Sequence, residues 1–225
     1  MLDQPRLPRR VALAAIGVAC SLTALHSSLE LSYRIRHLAS IETRSWFDMR
    51  CDYGIPACFA FLCYAAAGVA CFGWGRAIRS VPIMLTGVLF VLLMIDDVFM
   101  LHERVGSYFW AVMESTGVYS WVLVLGLPLA AAGLAAFRAC QRHLASYRSA
   151  RLRLLTGFAC LGVAVAIEAV EVQTTNSGIR LRGIDLVVYL QTVEEFLELL
   201  GPLLVAWSAA EAWQRATSKP LIAKS

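Results

Sequence analysis

An all-α, polytopic membrane protein is what the sequence predicts: a bundle of six transmembrane helices with both termini on the inner side (N-in/C-in). Three observations lead there. The chain is 59% hydrophobic and 16% charged, with a mean hydropathy of +0.64, too apolar for an ordinary soluble domain. Its apolar residues gather into stretches close to the ~20 residues that a helix needs to cross the hydrocarbon core. Basic residues collect on alternate connections between those stretches, as the positive-inside rule requires. Nothing sizeable is left over, so residues 1–225 are read as a single transmembrane domain.

The first span is expected at Val11–Leu31, behind Arg6, Arg9 and Arg10. Secretory signals share that basic-then-apolar order. This run lacks a small-x-small cleavage site and continues into His26 and Glu30, so it is read as a retained helix. Leu38 to Arg50 mixes Trp46 and Phe47 with charges and is expected to lie along the outer surface. The second span, Ile55–Gly75, opens with Pro56 where a missing N–H is harmless.

The third span, Val81–Leu101, ends in Asp96, Asp97 and, just beyond, His102 and Glu103. The fourth, Val118–Phe137, has no charge as far as Ala136 and is expected to pack or to face lipid. Tyr108, Trp110, Tyr119 and Trp121 near its start fit an aromatic belt at the membrane surface. The fifth span is Leu154–Val172, with Glu168 and Glu171. The sixth, Leu186–Ala209, holds Glu194, Glu195 and Glu198 and is predicted to kink at Gly201-Pro202.

With the N-terminus inside, the inner segments hold Arg6, Arg9, Arg10, Arg76, Arg79, Arg138, Arg142, Arg148, Arg151, Arg153, Arg215, Lys219 and Lys224, against only Asp3 and Glu211. The formal charge of +4 therefore sums a basic inner face, suited to anionic headgroups, with an acidic outer half. Nucleic acid is not an expected partner. The location expected is a bacterial inner (cytoplasmic) membrane. Most of the seven cysteines lie inside spans without metal-type spacing and read as small packing residues.

The acids within the spans are the informative feature, because a carboxylate at the bilayer centre costs roughly 2.5 to 3.5 kcal/mol on insertion scales. Depth and facing can be read from an advance of 100° per residue. Gln191, Glu194, Glu195 and Glu198 share one stripe; Thr23, His26, Glu30 and Tyr33 share another; Asp96, Met100 and Glu103 a third; and Glu168 and Glu171 are i,i+3 neighbours. All fall in the outer half and are expected to converge on one chamber. Asp97 and His102 are rotated away from this face and rank below their neighbours.

Carboxylates with an imidazole on facing helices are the donor set of a divalent metal such as iron, manganese or zinc. The expected ligands are His26, Glu30, Asp96, Glu103, Glu168, Glu171, Glu195 and Glu198, and Glu194 with Glu195 is expected to move protons. That set predicts a metal-dependent membrane enzyme, a hydrolase or a di-metal oxidoreductase, acting on a lipid-like or apolar substrate. Two other readings use the same acids: a cation- or proton-coupled transporter, and a structural subunit that binds a partner membrane protein. Conduction is disfavoured at this level, since the inner halves of the spans show no comparable ionisable residues.

Overall fold

The structure, a computed structural model, describes residues 6–36, 46–47, 54–101, 104–105, 108, 122–177, 180–181 and 184–218. Its long elements are α1 (Arg6–Arg36), α2 (Ile55–Ala77), α3 (Val81–Phe99), α4 (Leu127–His143), α5 (Arg148–Ser177) and α6 (Leu186–Ser218). A π-helical turn, Val122–Gly126, leads into α4. A two-residue antiparallel ribbon, β1 (Arg180–Leu181) with β2 (Ile184–Asp185), leads into α6. Among the described residues, six helices are long and apolar enough to cross a membrane, consistent with a multi-pass membrane protein.

The elements differ from the expected spans mainly at their ends. Pro128 withholds the N–H that would close a regular turn on Val124, and the wider π turn stands just before it, with regular helix extending on to His143. Helix α5 starts at Arg148 and α6 continues to Ser218, because the Arg-, Ala- and Gln-containing flanks are good helix formers even where they are not apolar. Helix α3 stops at Phe99, earlier than Leu101: Met100 takes a left-handed conformation (φ 48°, ψ 45°), and its N–H returns to the carbonyls of Asp96 and Asp97. Of the expected surface segment Leu38 to Arg50, only Trp46 and Phe47 are described; both are helical and Trp46 is exposed. Tyr108 is exposed, whereas Trp110, Tyr119 and Trp121 lie outside the described residues.

Helix α6 is the axis, packed by α5, α2 and α1, while α3 packs on the other side of α2. Two crossings are made by glycines. A Cβ on Gly201 would stand 3.0 Å from the Gly157 carbonyl and 2.7 Å from Leu161, and one on Gly87 would stand 2.7 Å from the Gly68 carbonyl. Small residues allow this approach in a bilayer, where apolar side chains gain little by leaving lipid and close van der Waals contact does more of the work. The main core clusters around these crossings, with Tyr64, Cys71, Trp74, Phe90, Leu154 and Val205 among its buried members.

Cross-helix contacts fix the relative directions. His26 meets Thr192, Ser208 meets Ala150, Trp74 meets His143, and Arg9 lies in electrostatic range of Arg153. Sequence neighbours therefore alternate up and down, and the start of α1 shares one end of the bundle with the end of α6. That end is rich in arginine. Polar residues on the weakly covered α1 are satisfied within the helix: Ser21, Thr23, Ser27 and Ser28 each donate to the carbonyl four residues back.

Candidate functional site

Tyr64, on the otherwise apolar α2, is 5% exposed. Four carboxylates lie within electrostatic range of its phenol: Glu198, Asp97, Glu195 and Asp96. The arrangement follows from the packing. Helix α2 stands between α3 and α6, which make no extensive contact with each other. The aspartates of α3 and the glutamates of α6 thus sit on helices to either side of the one that carries this buried tyrosine. Asp97, like Asp96, lies within electrostatic range of this phenol.

His26 is 2% exposed, with its Nε2 3.3 Å from the Thr192 hydroxyl. That hydroxyl donates its single proton to the Val188 carbonyl at 2.8 Å, so it accepts from the imidazole, and the tautomer with the proton on Nε2 fits the pair. The histidine is thereby tied to α6. Glu194, two residues further along α6, is 9% exposed, and Glu195 and Glu198 are half-buried. Pro202 cannot donate to the carbonyl of Glu198 four residues earlier, so that carbonyl lacks its usual helical donor. The helix nonetheless continues through Pro202 to Ser218.

The expected eight-ligand set is not assembled among the residues that can be placed. Glu168 is half-buried on α5 and is not among the charges acting on Tyr64. Glu30 and Glu171 lie on α1 and α5 with side chains outside the described residues, as are His102 and Glu103 altogether. Among the described residues, no group of three or more His, Cys, Asp or Glu side chains is placed to hold a metal ion.

The sequence reading passed over three features. Tyr64 sits on a span without acids, and its only signal is a phenol among alanines and cysteines. Thr192 is an ordinary threonine until α1 is placed beside it. The third feature is at the arginine-rich end, where Glu211, 4% exposed, is bridged by Arg153 of α5 and by Arg215 one turn on. Arg153 stacks over Trp207 and Arg215 over Tyr147, each guanidinium 4.3 Å from the ring centroid. Glu211 is thus a buried ionisable group just beyond the expected end of the sixth span at Ala209, on a helix that continues to Ser218. The i,i+4 spacing of Glu211 and Arg215 was legible, but its burial was not.

Along α6 the two polar levels, Glu198 and Glu211, are about 20 Å apart at ~1.5 Å per residue. Between them the helix is almost wholly buried and apolar, and its one hydroxyl there, Ser208, donates to the Ala150 carbonyl at 2.8 Å. Gly157 and Gly201 close the α5–α6 crossing within this interval. Polar groups on one side are therefore separated from those on the other by a close-packed layer.

Residues 10–213 match the family described as Domain of unknown function (DUF8692). No curated protein and no solved structure matches the chain. The matched stretch begins in α1 and ends in α6, taking in Tyr64, its four carboxylates and the Glu211 bridge, and the chain belongs to the DUF8692 family.

Proposed function

We propose that the acidic half of this membrane protein is a cation-holding chamber, occupied by protons or by a divalent metal, that serves chemistry on a lipid-like or apolar substrate. The observation that carries the reading is the burial of Tyr64 among Glu198, Asp97, Glu195 and Asp96. Like charges at one depth of a membrane repel, and desolvation disfavours their ionised forms. Near these five acids (Asp96, Asp97, Glu194, Glu195 and Glu198) the sequence supplies Arg104, Arg180 and Arg182, fewer bases than acids, and bound cations would complete the balance. Glu194 is assigned to proton movement because it is the most buried of the three acids Glu194, Glu195 and Glu198.

An apolar substrate is favoured by what borders the chamber: Val98, Phe99, Tyr189 and Val193, on α3 and α6 at the same level, are exposed where lipid would lie. The close-packed layer below the acids favours a one-sided site over a conduit. Transport is the second reading, and buried Glu211 is the observation in its favour, since it supplies an ionisable group at the far level.

The test combines metal analysis with infrared spectroscopy on the purified protein in nanodiscs. The parent chain is expected to retain stoichiometric metal, or to show carboxyl groups titrating apart from the exposed acids. Both signals should be lost in the double variant Glu195→Gln/Glu198→Gln. No metal, together with identical carboxyl titration in parent and double variant, would remove the proposal. Flux of cations or protons in proteoliposomes that depends on Glu211 would replace it with the transport reading.

A further inference from the structure

We infer a second site at the opposite end of the bundle, for the phosphate headgroup of an anionic phospholipid. An open cleft of about 450 Å³, lined by Ser146, Tyr147, Arg148, Ser149, Leu152 and Arg215, lies where the turn between α4 and α5 meets the last turns of α6. Two guanidinium groups and two serine hydroxyls are hydrogen-bond donors suited to phosphate oxygens. Arg215 is held in place at the wall, stacked on Tyr147 and bonded to Glu211, and only part of its five-donor capacity is taken by that bond. Arg148 is exposed and forms no ion pair among the described residues. Arg148 and Arg215 line the cleft, and Arg153 joins Arg215 on Glu211 beside it, so bases outnumber the acid there.

The apolar side of the cleft distinguishes a lipid from a free anion. Leu152 lines it, and Leu155 and Val163 continue as exposed side chains along α5 into the membrane-length part of that helix. Residues 152, 155 and 163 fall within one face at 100° per residue. A headgroup in the cleft therefore leaves its acyl chains against apolar protein surface, whereas inorganic phosphate gains only the polar contacts. This site is independent of the acidic chamber, at the other end of α6.

The experiment uses the full chain in phosphatidylcholine nanodiscs, titrated with short-chain phosphatidylglycerol and read by native mass spectrometry. Saturable occupancy is expected, weakened about fivefold by Arg148→Gln, the loss of one guanidinium near a headgroup. Adding Ser149→Ala should weaken it further. Arg76→Gln, which removes an exposed arginine of the same end outside the cleft, should leave occupancy unchanged. Inorganic phosphate at the same concentration should not displace the lipid. Equal binding by R148Q and R76Q would overturn the proposal in favour of diffuse surface charge. Displacement by inorganic phosphate would overturn it in favour of a free-anion site. Since Arg148 is exposed, its replacement leaves the packed core untouched.

Discussion

At the scale of single residues, the ion bridge at Glu211 decides more than any exposed charge. A carboxylate held by two guanidiniums in a buried place is costly to break from one side, because the partners remain desolvated and unpaired. Glu211→Ala is therefore expected to destabilise the fold by about 3 to 5 kcal/mol, measured by denaturant unfolding in detergent. The paired apolar replacement Arg153→Leu/Glu211→Leu should recover a large part of that loss, and a double variant no better than E211A would show that the bridge is not the cause. The His26–Thr192 contact makes a smaller claim. Thr192→Val keeps the side-chain shape but deprives the imidazole of its acceptor, for an expected loss of about 1 to 3 kcal/mol, and adding His26→Leu should restore most of it in the same unfolding assay. Both sites lay beyond sequence reasoning for one reason: each partner is more than fifty residues away, on a helix whose facing is set only by packing.

At the scale of elements, glycine separates helices that touch from helices that do not. A methyl at Gly201 or Gly87 would meet backbone within 3.0 Å, so Gly201→Ala and Gly87→Ala are expected to push apart α5/α6 and α2/α3, at a cost of about 1 to 3 kcal/mol. Gly133 and Gly162 have open space at the same position, and alanine there should be neutral or stabilising by up to ~1 kcal/mol through helix propensity. Thermal unfolding of the four variants in one detergent checks the contrast, and equal effects at all four would show that propensity outweighs packing. The existence and order of the six spans were legible in hydropathy, since a run of apolar residues near the membrane's thickness has few alternatives. Their ends were less so. Left-handed Met100, the π turn before Pro128 and the extension of α6 to Ser218 depend on local backbone bonding that hydropathy does not register.

For the whole molecule, the alternation of helix directions places the start of α1 and the end of α6 at one arginine-rich end. In a background with the seven native cysteines replaced, Pro8→Cys and Ser218→Cys are expected to react with a membrane-impermeant maleimide from the same side of sealed vesicles, and Trp46→Cys from the other. The basic-residue count predicts that the shared side is cytoplasmic. Labelling of positions 8 and 218 from opposite sides would contradict the six-span arrangement itself.

The composition and the spacing of apolar runs determined, without coordinates, that this chain is helical, that six helices are long enough to span a bilayer, and that acids gather toward one half and arginines toward the other. These properties follow from local sequence, because lipid demands that each span satisfy its own backbone. Which side chains meet was decided only by tertiary structure. Helix α2, without an acid of its own, stands between the aspartates of α3 and the glutamates of α6 and puts Tyr64 among them, and α5 brings Arg153 to Glu211. No one-dimensional pattern carries that information, since a helix in lipid turns its faces by close packing against its neighbours, and the small residues that permit such packing mark where contact can occur, not with whom.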